Sequence, residues 1–164
     1  MREAEFETIF EAHKDAVFAF AWRMTGSAQL AEDIAQDTFL FLWKSPQRYD
    51  PARGSLRAWL LGVARNVLLK RWRAEGRFLA MEDDQILSSP PPAADWSAVE
   101  HVAHAVQALP PLQREVVVLI EYEGMSLQEA ATAVEAEVGT VKARLHRARE
   151  NLRTQLEPLR SKHP

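Results

Sequence analysis

Apolar residues recur along this chain at steps of three, four and seven almost from end to end, the period of a helix with one buried face. Phe6, Ile9, Phe10, Val17, Phe20, Ala21 and Met24 mark a first amphipathic helix, punctuated by Thr25-Gly26-Ser27. A second helix is predicted from about Ala28 to Lys44, with Ile34, Ala35, Thr38 and Leu42 inward, and Ser45-Pro46 stops it. Tyr49 to Gly54 is rich in turn residues and reads as a loop. Ser55 is placed to cap a third helix, with an inward stripe of Leu56, Trp59, Leu60, Val63 and Val67, that fades near Gly76.

Periodicity lapses between about Ala80 and Asp95, where Ser88-Ser89-Pro90-Pro91-Pro92 and acidic residues predict a semi-extended linker. Helical spacing resumes near Trp96. Pro110 or Pro111 suits the first turn of the next helix, and Val116 to Ile120 supply its buried run. Val116-Val117-Val118 taken alone also fits a strand, but no segment shows the period-2 alternation of a sheet. The expected fold class is therefore all-α. It comprises two small helical domains, an N-terminal helical bundle (1–77) and a C-terminal helix-turn-helix domain (98–164), joined by a Pro-rich acidic linker (78–97). Bundles of roughly 70 residues are small enough to lean on partners for stability, and the linker predicts a flexible tether between them.

Composition narrows the class. The 164 residues are 47% hydrophobic and 26% charged, as in ordinary globular proteins. No apolar run approaches the ~20 residues that span a bilayer, and the charged N-terminus lacks a signal-peptide core, so a cytoplasmic protein without membrane insertion is expected. The absence of cysteine excludes disulfides and thiolate metal sites. A net charge of −3 hides an uneven distribution. Arg65 to Arg77 and Lys142 to Arg153 each hold five basic residues and one acid, whereas Phe78 to Gln113 holds no Lys or Arg. Two basic clusters separated by an acidic stretch suggest two anion-binding surfaces; for either cluster alone, a solvated helix face is the alternative.

The most informative stretch runs from Gly124 to Leu156. Gly124 can end a helix in a left-handed cap. Ser126-Leu127-Gln128-Glu129 matches the S-x-x-E capping box of a short alanine-rich helix reaching Val134. After a turn at Glu135 to Glu137, Val138, Val141, Leu145, Ala148 and Leu152 form one face of a second helix. Its opposite side presents Lys142, Ala143, His146, Arg147 and Glu150, with Arg144 and Arg149 on the flanks. This is the layout of a helix-turn-helix whose second helix enters a DNA major groove. Arg and Lys donate to guanine edges, the small Ala143 permits close approach, and flanking Arg144, Arg149 and Arg153 reach phosphates. An ordinary basic surface helix is the alternative.

The N-terminal half carries a second constellation. Ala31 to Trp43 has three carboxylates followed by more apolar residues than one buried stripe requires, a pattern of a protein-docking surface or of a thoroughly buried helix. Further along, the third helix leads into Lys70-Arg71-Trp72-Arg73, where basic residues stand beside an aromatic ring, which suits a single strand: cations follow phosphates and rings stack on bases. Trp59 reads as core, and Trp72 fits either role.

Val138-Gly139-Thr140-Val141-Lys142 followed by Arg144-Leu145-His146-Arg147-Ala148-Arg149, with the lead-in Ala108-Leu109-Pro110 and Gln113-Arg114-Glu115-Val116, resembles region 4 of the extracytoplasmic-function (ECF) sigma factors. Ala31 to Trp43 resembles region 2.2 of the same family, and Leu56 to Arg73 resembles regions 2.3 and 2.4. The resemblance implies a non-enzymatic transcription initiation factor with no cofactor or metal. It implies docking on the clamp helices of the RNA polymerase large subunit through Asp33, Gln36, Asp37 and Phe39. It implies contact with the promoter −10 element through Arg65, Asn66, Lys70, Arg71 and Arg73, Asn66 lying near the pocket for a flipped-out base. It implies −35 recognition by Lys142, Ala143, Arg144, His146, Arg147 and Arg149. Control by an anti-sigma factor is a further implication. One departure stands in the turn, where members have a Gly or small polar residue and this chain has Glu135-Ala136-Glu137.

Other classes fit less of the chain. His101 and His104 share a helix face beside Glu100, but no third ligand is signalled and solvated histidines are the plainer reading. No phosphate loop or nucleophile motif suggests an enzyme. A stand-alone helix-turn-helix regulator leaves Ala31 to Arg73 unexplained, and a sigma-like decoy would bind partners without starting transcription.

Overall fold

The computed structural model describes residues 1–76 and 93–160; the semi-extended Ser88–Pro92 stretch expected from the sequence and most of the linker lie outside the described residues. Three long helices form the front domain: α1 (Glu3–Thr25), α2 (Ala28–Lys44) and α3 (Leu56–Ala74). Each boundary has a local cause. α1 ends at Gly26, whose φ of 70° is left-handed and whose N–H donates to the Trp22 carbonyl. Ser27 opens α2 by accepting from the Leu30 N–H, and Ser55 opens α3 by accepting from the Ala58 N–H. Two short 3-10 turns, each started by a proline, carry the chain from α2 to α3.

The rear domain contains α4 (Ala98–Gln107), α5 (Pro111–Val117), α6 (Leu127–Ala133) and α7 (Val138–Arg160). Ser97 caps α4 through the Glu100 N–H, and Pro111 stands in the first turn of α5. The strand alternative for Val116-Val117-Val118 gives way to helix. α5 runs on into a π turn over Val118–Tyr122, in which the Glu123 N–H reaches back five residues to the Val118 carbonyl. Among the described residues, no helix is long and apolar enough to cross a membrane.

Val17, Phe20, Met24, Ile34, Leu42, Leu60, Leu61 and Leu68 fill the front core, and Leu109, Val116, Leu119, Val134, Val141 and Ala148 fill the rear one. The α3 stripe differs from the expected one. Leu60, Leu61, Ala64, Leu68 and Trp72 are buried, whereas Leu56, Trp59, Val63 and Val67 are half-buried. The reason is that α3 is clasped on two sides, by α1 and α2 and also by α6 of the rear domain. The two domains are thus packed on each other, in place of the flexible tether expected from the linker. Gly62 makes this approach possible: a Cβ built there would lie 3.6 Å from the Ala133 Cα and 3.9 Å from its Cβ.

Candidate nucleic-acid interface

α6 and α7 form the helix-turn-helix. The capping box is complete: Glu129 N–H donates to Ser126 Oγ and Ser126 N–H to Glu129 Oε1, both at 3.1 Å. The chain turns at Glu135, a non-glycine residue at φ 55°. α7 then packs through Val141, Leu145 and Ala148, which are buried, with Val138 and Leu152 partly so. Lys142, Ala143, His146 and Arg147 are exposed together on the outer side, and Arg144 is half-buried at its edge. Arg149 is exposed and donates to Glu121 at 2.5 Å, so its guanidinium is tied to the π turn. Asn151 donates to Gln113 at 2.6 Å and binds α7 to α5.

On the front domain, Asn66, Lys70 and Arg73 are exposed along α3. Arg71 lies between Asp33 and Asp37 of α2, at 3.8 and 3.6 Å, so two expected polymerase-docking carboxylates hold one expected −10 cation. Gln36 is exposed beside them. Phe39 is only 3% exposed, its ring 5.0 Å from Phe10 in a T-shaped contact, and it supports the α2 surface from beneath. The apolar surplus of α2 is exposed elsewhere, at Leu40, Phe41 and Trp43. With Phe6, Phe10, Phe18 and an acidic rim of Asp15, Glu32, Asp33 and Asp37, Leu40 and Trp43 line an open groove between α1 and α2. Trp72 is 5% exposed and belongs to the core in this arrangement. Trp59 is half-buried between Phe41 and Tyr49, with centroids 6.0 and 5.7 Å away.

Arg65 departs most from the sequence picture. It is 7% exposed and donates through Nε and Nη2 to both oxygens of Glu115, at 2.9 and 3.2 Å; Glu115 is 1% exposed. Burial pushes the Glu115 carboxyl above the ordinary carboxylate range, while the Arg65 hydrogen bonds and charge pull the other way. Around this pair lie contacts that periodicity does not reveal. Arg57 donates to Glu123 Oε2 at 2.7 Å and also to the Glu123 carbonyl. Arg23 stands 3.6 Å from the same carboxylate and over the ring of Tyr122. Gln107 donates to the Arg23 carbonyl and Arg114 to the Met24 carbonyl, satisfying groups that the end of α1 leaves open. A signal for Arg65 and Glu115 did exist: each is charged at a position flanked by apolar residues at helical spacing.

A cavity of about 340 Å³ lies between the domains. Asn66, Trp59, Tyr49, Arg48 and Arg53 stand on its front wall, and Glu129, Thr132 and Glu135 on its rear wall. His101 and His104 both pack on Trp96, at 5.6 and 4.7 Å. Among the described residues, no group of three His, Cys, Asp or Glu side chains is arranged to hold a metal ion.

Comparison with known proteins follows the same division. Residues 9–78 match the family "Sigma-70 region 2" and residues 100–152 match "Sigma-70, region 4". CarQ, an RNA polymerase sigma factor of Myxococcus xanthus, is 35% identical over 94% of this chain and 90% of its own length. The ECF RNA polymerase sigma factor SigE of Mycolicibacterium smegmatis is 32% identical over 92% of this chain, which spans 61% of that longer protein. Among solved structures, the sigma factor RpoE of Bartonella quintana in complex with the anti-sigma factor NepR superposes with a TM-score of 0.75. The two are 28% identical, over 93% of this chain and 97% of that one. CnrH, solved with the cytosolic domain of CnrY, gives a TM-score of 0.71 at 27% identity over 96% of this chain and 90% of that one. Two region matches in chain order, and full-length relatives above 30% identity, place this chain in the ECF family of RNA polymerase sigma factors.

Proposed function

We propose that this chain joins core RNA polymerase and directs initiation at promoters that its two domains read, the front one opening the −10 element and the rear one gripping the −35 element. The observation that carries this reading is the rear-domain geometry. A capped α6, a tight turn and a well-fastened α7 leave Lys142, Ala143, His146 and Arg147 on one exposed face. Such a face fits the width of a major groove, and Arg144 and Arg149 flank it at the level of the phosphates.

Asp33, Gln36 and Asp37 form the surface that meets the polymerase clamp helices, with Phe39 as the support behind it. Asn66, Lys70, Arg71 and Arg73 contact the −10 strand, and Arg65 joins them when its pair with Glu115 is released. The protein is a cytoplasmic binding factor and catalyses no reaction of its own. An anti-sigma factor restrains it. That reading is supported by the likeness to RpoE and CnrH, which were solved with NepR and with the cytosolic domain of CnrY.

Run-off transcription with core polymerase on a randomised promoter library tests the proposal. Initiation at a defined start, with preferences at both elements, is the expected result. A chain that does not associate with core enzyme, or that gives no preferred start, overturns it.

A further inference from the structure

Within the front domain, one side chain bridges the two surfaces assigned to different partners. Asp33 and Asp37 stand one turn apart on α2, and both carboxylates reach Arg71 of α3, at 3.8 and 3.6 Å. The Gln29 amide donates to Asp33 Oδ1 at 3.5 Å, so Oδ2 is the oxygen turned to Arg71. Asn66, Lys70 and Arg73 recur at steps of four and three and share one exposed face of α3. Arg71 stands beside that face, on the flank toward α2. Beneath it the two helices are packed, with Ile34 and Thr38 of α2 and Leu68 and Trp72 of α3 all buried. Only the guanidinium, at the end of a long stem, is placed to change partners.

The contact is of a kind that exchanges. Its distances exceed the roughly 2.7–2.9 Å of a charge-assisted hydrogen bond. The side chains of Arg71, Asp33 and Asp37 are 34%, 37% and 48% exposed, so water and a partner both reach them. Such a pair adds little stability. Two carboxylates on one guanidinium nevertheless cancel the charge that would attract a phosphate. A partner that docks on Asp33 and Asp37 brings cations to them. Those cations displace Arg71, whose planar fork suits a phosphate as well as a carboxylate.

We infer that Arg71 couples the two surfaces: Asp33 and Asp37 hold it in the isolated chain and yield it to the −10 strand when polymerase occupies them. This rests on the reading of α2 as the docking surface and of α3 as the strand-contacting one. The coupling is reciprocal, since a strand that takes Arg71 bares both carboxylates for polymerase by the same factor. It lies inside one rigid helix pair and requires no movement of one domain against the other.

A double-mutant cycle in the full chain tests the inference, with Arg71→Gln on one axis and Asp33→Asn together with Asp37→Asn on the other. Anisotropy of a labelled random single-stranded oligonucleotide reads strand binding by the isolated protein. The Asn variant should bind it about fivefold more tightly, the low end of couplings between sites. Its salt slope should steepen by about 0.7, the signature of one added phosphate contact. The same variant should bind core polymerase more weakly, an opposite sign that simple loss of structure does not produce. In the Arg71→Gln background the gain and the steeper slope should both vanish. Arg71→Gln alone should leave the isolated chain nearly unchanged but lower run-off transcription, at a promoter taken from the library, by about fivefold.

Unchanged oligonucleotide binding in the Asn variant, or a gain that persists without Arg71, overturns the inference. So does an Arg71→Gln loss as large in the isolated chain as with polymerase. Core affinity unaltered by the Asn substitutions removes the docking reading and the coupling with it. The oligonucleotide cycle, which uses no polymerase, reports separately on whether the carboxylates hold Arg71.

Discussion

Removing the Glu115 carboxylate is the most informative single perturbation of this molecule. The group accepts two hydrogen bonds from Arg65, at 2.9 and 3.2 Å, in a place where the side chains are 1% and 9% exposed. Glu115→Ala therefore leaves a buried guanidinium without its partner, a change that costs about 3–5 kcal/mol. Replacing both groups, Arg65→Met with Glu115→Leu, removes the orphan and keeps most of the volume, so the double variant should return to within about 1–2 kcal/mol of the parent or exceed it. The coupling between the two sites should then be at least about 2 kcal/mol. Urea unfolding followed by tryptophan fluorescence reads these differences, with Trp72 buried on the same helix as Arg65. The m-value shows whether the lost stability comes from separation of the domains or from global unfolding, since each exposes a different area. Single substitutions costing less than about 1 kcal/mol each, as at an exposed ion pair, would refute the view that the pair is dry and structural.

Other expectations follow from individual residues. Glu135→Gly should stabilise the chain by about 1 kcal/mol in thermal or urea unfolding, because Glu135 holds a φ of 55° that glycine adopts without strain; a loss of stability would contradict that. Arg147→Ala should cost about 1–3 kcal/mol at one −35 position in a binding titration across variant promoters, and a uniform loss would reassign the side chain to phosphate. Asn66→Ala should erase discrimination at the −10 element in run-off assays while leaving affinity for core polymerase intact; equal loss at every −10 variant would speak against base contact. His13 is depressed below 6.5 by burial and then by Arg57, so its contribution to stability is present above 6.5 and lost as pH falls through the lowered value. His13→Gln should flatten the fall in stability between about pH 7.5 and 5 relative to the parent. Any effect of Glu115 in that window is common to both proteins and cancels in the difference.

The local information in this chain is unusually complete. Ser27, Ser55, Ser97 and Ser126 cap the helices they precede, Gly26 ends α1, and the face of α7 that packs is the one its apolar spacing marks. Caps and periodicity act within one or two turns, so the order of residues suffices to state them. The sequence also marked α2 as too apolar for one buried stripe, and Leu40, Phe41 and Trp43 are exposed accordingly. Tertiary structure decided what a one-faced pattern cannot express. α3 has two packed sides, which turned its buried set from Leu56 and Val63 toward Leu61, Ala64 and Trp72. It also made Arg65 a partner of Glu115, 50 residues away, although in sequence it resembles its basic neighbours. Phe39 went inward because Phe6 and Phe10 of α1 offered it an aromatic seat. A charge reads as surface or as clasp only once the group opposite it is known, and that group is chosen by how the helices pack, not by spacing along any one of them.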